Sequence, residues 1–146
     1  MRFSFLRTAI RVNVLAKVLV AYESKYGNTK LVAEKIIEGI KEVGDIETML
    51  NELKEVDLNA VSSYDAILVG SPNHIGGPTR GIKKFIDKLG KLNPGEKLFA
   101  VFDTYLGKDF EKAVKKMEAR ITEKISKSKL LSPGLSIRVQ GMKGPT

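Results

Sequence analysis

Apolar residues recur along this chain in two alternating rhythms. A continuous run, Lys17 to Glu23 (K-V-L-V-A-Y-E), precedes apolar positions at Val32, Ala33, Ile36, Ile37, Ile40 and Val43. The run reads as a strand and the spacing as a helix. Gly44 suits the helix stop, and Asp45 to Asn51 alternates as a short edge strand. Leu53 to Ser63 is a connector with one helical turn near residues 57–61. Tyr64 to Gly70 (Y-D-A-I-L-V-G) is a continuous apolar run of the kind a parallel strand covered on both faces gives. Ile82, Phe85, Ile86 and Leu89 then predict a helix that ends near Gly90. Lys97 to Asp103 (K-L-F-A-V-F-D) is a third long strand, and Phe110, Ala113, Val114, Met117, Ile121 and Ile125 are the core stripe of the following helix. Leu135 to Val139 is a last short strand before a tail from Gly141 to Thr146. Strands alternating with helices predict an α/β domain, a doubly wound parallel sheet with helices on both faces.

Ligands of such open sheets bind beyond the carboxyl ends of the strands. The exit loops 24–29, 71–79 and 104–107 therefore converge on one site. In Ser24-Lys25-Tyr26-Gly27-Asn28-Thr29, Gly27 supplies backbone freedom, Asn28 or Thr29 can cap the helix, and the hydroxyls of Ser24 and Thr29 can donate. Free N–H groups and the helix dipole at this point favour a phosphate. The same composition also serves a plain helix cap, so this loop alone leaves both readings open. Neither G-x-x-x-x-G-K-[ST] nor G-x-G-x-x-G is present, which argues against a nucleoside triphosphate or dinucleotide. A single terminal phosphate fits better. The second and third loops carry glycine-rich backbone, His74 and Tyr105, and suit a flat aromatic ring. His74 either flanks that ring or faces water, and Tyr105 either stacks on the ring or belongs to an interface.

Composition narrows the chemistry. At 146 residues the chain is one domain by length, able to bury about 68–70% of its unfolded surface. With no cysteine, thiol catalysis, thiolate metal sites and disulfides are excluded, and a single histidine argues against a metal centre. No apolar run approaches the ~20 residues of a membrane-spanning helix. The net charge is +8, and residues 108–146 hold ten Lys or Arg against four Asp or Glu. That excess makes either an electropositive face for an acidic partner or a solvated Lys/Glu helix face. No aromatic residues interleave with it, so nucleic acid is not expected. Residues 1–16 read as an N-terminal extension to the domain of residues 17–146. Arg7 and Arg11 interrupt any secretory core. Phe3, Leu6, Ile10 and Val14 share a helical spacing, Arg11 to Leu15 alternates as a strand, and an extension upstream of the true start is a third reading.

Glu23-Ser24-Lys25-Tyr26-Gly27-Asn28-Thr29, followed at this separation by Gly70-Ser71-Pro72-Asn73-His74-Ile75-Gly76-Gly77, resembles the flavodoxin family over about residues 17–143. The S-x-Y-G-N-T form is similar to that of flavo-diiron proteins and quinone reductases. The resemblance implies a single doubly wound parallel five-stranded sheet of order 2-1-3-4-5 that binds one FMN non-covalently. It assigns Ser24, Tyr26, Gly27, Asn28 and Thr29 to the phosphate, Pro72, Asn73, His74, Ile75, Gly76 and Gly77, with Tyr105, to the isoalloxazine, and counts Ser71 among the cofactor-binding residues. The implied function is a cytoplasmic electron carrier between redox partner proteins, with no catalytic residue of its own. An FMN-dependent NAD(P)H:quinone reductase is the enzymatic alternative, and a degenerate fold serving as an interaction module without flavin is the third.

Three departures qualify the resemblance. Members that carry electrons are usually acidic, whereas this chain is basic, which points to acidic partners and to a less negative second reduction potential. The third loop is short and lacks a Gly-Asp pair. After Val139 the family pattern calls for another helix, which this sequence lacks. The apolar strip left on the sheet would need cover from residues 1–16 or from a second copy of the chain in a homodimer, the third reading being a truncated and poorly stable product.

Overall fold

The computed structural model describes residues 16–140. Residues 1–15, which make up nearly all of the expected extension, and the tail 141–146 lie outside the described residues. Strands β1 (Ala16–Tyr22), β2 (Ile46–Glu52), β3 (Ala66–Pro72) and β4 (Lys97–Tyr105) alternate with helices α1 (Asn28–Val43), α2 (Arg80–Leu92) and α3 (Lys112–Lys124). Two short 3₁₀ segments, Leu53–Glu55 and Leu58–Ser63, carry the connector between β2 and β3. β5 (Ser128–Leu130) and β6 (Leu135–Arg138) follow α3. All pairings are parallel, in the order β2-β1-β3-β4-β5, with β6 also on β4. The sheet order is therefore the expected 2-1-3-4-5.

The fifth position is divided between two strands. β5 pairs Lys97–Phe99, at the start of β4, while β6 pairs Phe102–Tyr105, at its end. Pro133 between them has no N–H to offer the ladder. At Gly134 the chain hugs β4, where a Cβ would stand 2.6 Å from the Val101 carbonyl oxygen. Only β6 is legible in the sequence, because S-K-L at β5 is too short to show a period.

Alternation along the strands sends neighbouring side chains to opposite faces. Leu19, Ile67, Val69, Phe99 and Val101 pack against Ile82, Phe85, Ile86 and Leu89 of α2 and Val114, Met117 and Ile121 of α3. Val18, Val20, Tyr22, Ala66 and Phe102 pack against Ala33 and Ile37 of α1. On this second face Leu68, Leu98 and Ala100 are only half-buried and Leu135 is 49% exposed, which is the strip expected to need cover. Phe110 departs from the expected core stripe. It precedes α3, which starts only after Glu111 turns into the left-handed region, and it is 56% exposed. Among the described residues no helix is long and apolar enough to cross a membrane.

Gly39 sits exposed in the middle of α1, and a Cβ there would meet nothing within 4 Å. Glycine in a helix interior gives up about 0.5–1 kcal/mol relative to alanine. Gly39→Ala is therefore expected to raise stability by about that amount, read as a higher urea midpoint at unchanged slope.

Candidate functional site

β3 and β4 run further than their apolar cores, so Ser71, Pro72, Thr104 and Tyr105 are strand residues at the carboxyl edge of the sheet. Together with the exit of β1 they enclose a cavity of about 870 Å³. Of the residues expected at the site, Ser24, Tyr26, Asn28, Thr29, Pro72, Asn73, His74, Ile75 and Tyr105 line this cavity. Gly27, Ser71, Gly76 and Gly77 lie behind the lining and shape its backbone.

In the first loop Gly27 itself is the N-cap of α1, at φ 101° and ψ −13°. Asn28 and Thr29 are thus the first helical residues rather than caps. The Ser24 hydroxyl oxygen accepts from the amides of Gly27 at 3.1 Å and Lys30 at 3.3 Å. The amides of Lys25, Tyr26 and Thr29 have no hydrogen-bond partner among the described residues. A helix N-terminus with orphan donors is suited to an anion. Tyr26 is exposed, with the Lys25 ammonium 5.6 Å from its ring centroid.

In the second loop His74 and Gly77 exchange backbone bonds, His74 N to Gly77 O at 2.6 Å and Gly77 N to His74 O at 3.2 Å. Ile75 and Gly76 between them have φ of 51° and 76°. Positive φ at both central positions is the signature of a type I′ turn. His74 is exposed at the cavity rim. Ser71, fully buried, donates to the Pro72 carbonyl at 2.8 Å and accepts from the Thr79 amide at 3.1 Å. Thr79 in turn caps α2, accepting from Ile82 N at 3.2 Å. Asn73 Oδ1 is buried without a donor among the described residues.

The three loops are clasped to one another in pairs. The Thr79 hydroxyl donates to Glu23, joining the first and second loops. Asn73 N donates to the Thr104 carbonyl at 2.8 Å, joining the second and third. The hydroxyls of Thr29 and Thr104 share a buried hydrogen bond of 2.9 Å, joining the first and third. Glu23, Thr79 and Thr104 fall outside the residues that the sequence assigns to the site. Thr79 carried a usable signal, a threonine just before a helical apolar stripe. The other two act through residues remote in sequence. Tyr105 is half-buried and meets Phe110 edge-on, centroids 5.7 Å apart, so the displaced phenylalanine supports the aromatic wall.

Beneath the third loop lies Asp103, fully buried. It accepts from the Ser136 hydroxyl at 2.6 Å and from Val114 N at 3.0 Å, and Ser136 Oγ accepts from Glu111 N at 2.9 Å. One carboxylate thus ties β4 to β6 and to the first turn of α3. Burial pushes its pKa above the usual carboxylate value, partly offset by the bonds from Ser136 and Val114. With the folded pKa raised, the native state holds more protons than the unfolded chain between the two values. Stability contributed through this group therefore falls as pH rises from about 3.9, the unfolded value, to the raised native value, and levels off above it. Asp103→Asn keeps an acceptor for Val114 and is expected to remove that slope. Urea titrations across this window that give parallel pH profiles for the two proteins would refute the assignment.

The flavodoxin domain model matches residues 19–139 of this chain. A flavodoxin of Clostridium saccharobutylicum is 35% identical over 88 residues, 60% of this chain and 55% of that protein. One of Aquifex aeolicus is 36% identical over 75 residues, 51% of this chain and 40% of that protein. The matched segments thus span about half the length of these curated relatives. Among solved structures, a flavodoxin from the domain Archaea superposes with a TM-score of 0.76 at 30% identity, covering 85% of this chain and 84% of that one. Flavodoxin 2 from Bacillus cereus gives 0.73 at 31% identity, covering 85% of each chain.

Proposed function

Because the chain belongs to the flavodoxin family, whose members bind FMN, we propose that it is a cytoplasmic carrier that passes electrons between redox partners. The observation that carries this reading is the clasped site itself, orphan amides on one side of the cavity and an aromatic wall on the other. Bound FMN would supply one- and two-electron chemistry, with the protein tuning its potential.

The residues present fit that group. Ser24, Tyr26, Gly27, Asn28 and Thr29 would hold the phosphate, since the free amides of this loop sit at the positive end of α1. Pro72, Asn73, His74, Ile75, Gly76 and Gly77 would flank the ring from one loop and Tyr105 from another, with Ser71 holding the second loop to α2. The unpartnered Asn73 Oδ1 is an acceptor of the kind a ring N–H needs. Glu23, Thr79 and Thr104 hold the three loops at fixed separation before any ligand arrives, which lowers the ordering cost of binding.

Lys25, Arg80 and Lys83 outnumber Glu23 and Asp109 in the cavity lining and the chain carries a net charge of +8, so the preferred partner is an acidic redox protein. The half-buried strip on the α1 face makes pairing with a second copy a further expectation, read by sedimentation.

An absorption spectrum before and after adding FMN tests the reading. Flavin bands at equimolar FMN and protein are the expected result. A protein that stays colourless and takes up no FMN would overturn it and favour an interaction module. Sustained NADH oxidation with a quinone would instead make the protein a reductase.

A further inference from the structure

Helix α2 starts at the cavity, where Arg80, Gly81 and Lys83 line it, and packs alongside α3 in a seam. The two helices run side by side in the same direction. Lys116 packs on Gly77, where a Cβ would stand 3.2 Å from its Cδ. Arg120 donates to both carboxylate oxygens of Asp87, at 2.9 and 2.8 Å. Gly90 lies directly against the Lys124 carbonyl. Residues three and four apart share a helix face. Arg80, Lys83, Lys84 and Lys91 therefore run along the α2 side with Asp87, and Lys116 and Lys124 along the α3 side with Arg120. Asp87 is paired with Arg120, and Glu123 is the other acid acting on that guanidinium. None of Arg80, Lys83, Lys84, Lys91, Lys116 and Lys124 stands within 4.0 Å of a carboxylate among the described residues, although Lys91 and Lys124 act on Asp87 at longer range. The seam is a cationic strip whose upper end is the cavity rim.

At that end stands Ile75. It is 92% exposed and held at φ 51°, where a β-branched side chain is strained by about 1–2 kcal/mol. A strained apolar residue that buries nothing in its own chain is a feature found at binding surfaces. An apolar point beside a charged border is also how protein interfaces are organised, with a desolvated centre and a polar rim.

We propose that the α2/α3 seam, headed by Ile75, is the docking surface for an acidic electron-transfer protein. The proposal rests on the reading of the cavity as a flavin site. In the complex the partner's reduced centre would give up one electron to FMN held in the cavity, with no bond made or broken. A nucleic acid is disfavoured because the seam offers no aromatic platform for its bases.

The probe is an acidic [2Fe–2S] ferredoxin, reduced beforehand and mixed with the FMN-loaded protein in a stopped-flow instrument. Binding is measured separately by calorimetry, so that the surface is tested even if no flavin is taken up. The transfer rate is expected to fall roughly tenfold between about 20 and 300 mM salt. Lys84→Glu combined with Lys116→Glu, neither of which lines the cavity, is expected to lower the low-salt rate about tenfold and to flatten its salt dependence. Because Ile75 also lines the cavity, Ile75→Gly is read by calorimetry on the protein without flavin, where ferredoxin affinity is expected to fall about two- to fivefold with its salt slope intact. Unchanged rate, affinity and salt slope in the lysine variant would overturn the proposal. So would an oligonucleotide or phosphatidylserine vesicles binding through Lys84 and Lys116 while ferredoxin does not. Ferredoxin binding that needs these lysines in a protein without flavin would keep the surface and refute only the reading of the cavity.

Discussion

Gly70→Ala is expected to destabilise the protein by about 3 kcal/mol, a large share of the roughly 5–15 kcal/mol that holds an ordinary domain folded. Gly70 pairs directly with Phe102 across β3 and β4, and the phenyl ring lies over the glycine, so an added Cβ would fall inside it. The ring has nowhere to go, because Phe102 is buried among Val18, Val20, Tyr22 and the α1 face. The clash is with a side chain rather than backbone, and it is therefore open to rescue. Phe102→Leu in the Gly70→Ala background is expected to be more stable than Gly70→Ala alone, whereas Phe102→Leu in the parent is destabilising. Urea unfolding of the four proteins gives the coupling directly. A Gly70→Ala protein as stable as the parent would mean that the ring is not where the packing requires it.

Gly27→Val is expected to weaken FMN binding by about tenfold to a hundredfold, following a conformational penalty of about 1–3 kcal/mol. Gly27 is at φ 101°, a conformation that valine adopts only under strain, while a Cβ there would meet nothing within 4 Å. The effect is thus one of backbone angle and not of crowding. If the loop relaxes toward negative φ, the amides of Lys25, Tyr26 and Thr29 lose their common focus. Fluorescence titration of FMN measures the loss, and a circular dichroism melt separates it from unfolding. An affinity equal to the parent's would show that the left-handed turn does not organise the phosphate end.

The two substitutions divide along a line that also governs what could be read from the sequence. Gly27 was identifiable in advance, because a glycine between a buried strand and a helical stripe is a local signal of a special backbone angle. Gly70 was legible only as the end of a strand. That it lies under Phe102 follows from the register of β3 on β4, which no local pattern encodes.

The site shows the same division. Nine of the expected residues line the cavity, because loops at the carboxyl ends of parallel strands must converge. The contacts that clasp those loops leave no local trace in the sequence. Thr29 and Thr104 are 75 residues apart, and Glu23 and Thr79 are 56 apart. Nothing about a lone threonine or glutamate marks its partner. In the sequence Asp103 is only the last residue of an apolar run, and its burial depends on Ser136 and the start of α3 arriving from elsewhere in the chain. Phe110 misled because helical spacing extends past a helix end without saying where the helix begins. The left-handed turn at Glu111 moved it out of the core and onto Tyr105.

By itself, then, the sequence determined the three helices, the long strands and the three loops that meet, because hydrophobic period and turn chemistry act between near neighbours. The tertiary structure alone decided the division of the fifth strand, the burial of Asp103, the clasping of the loops and the alignment of lysines and arginines along one seam. Each of these depends on which distant residues the packed sheet brings together.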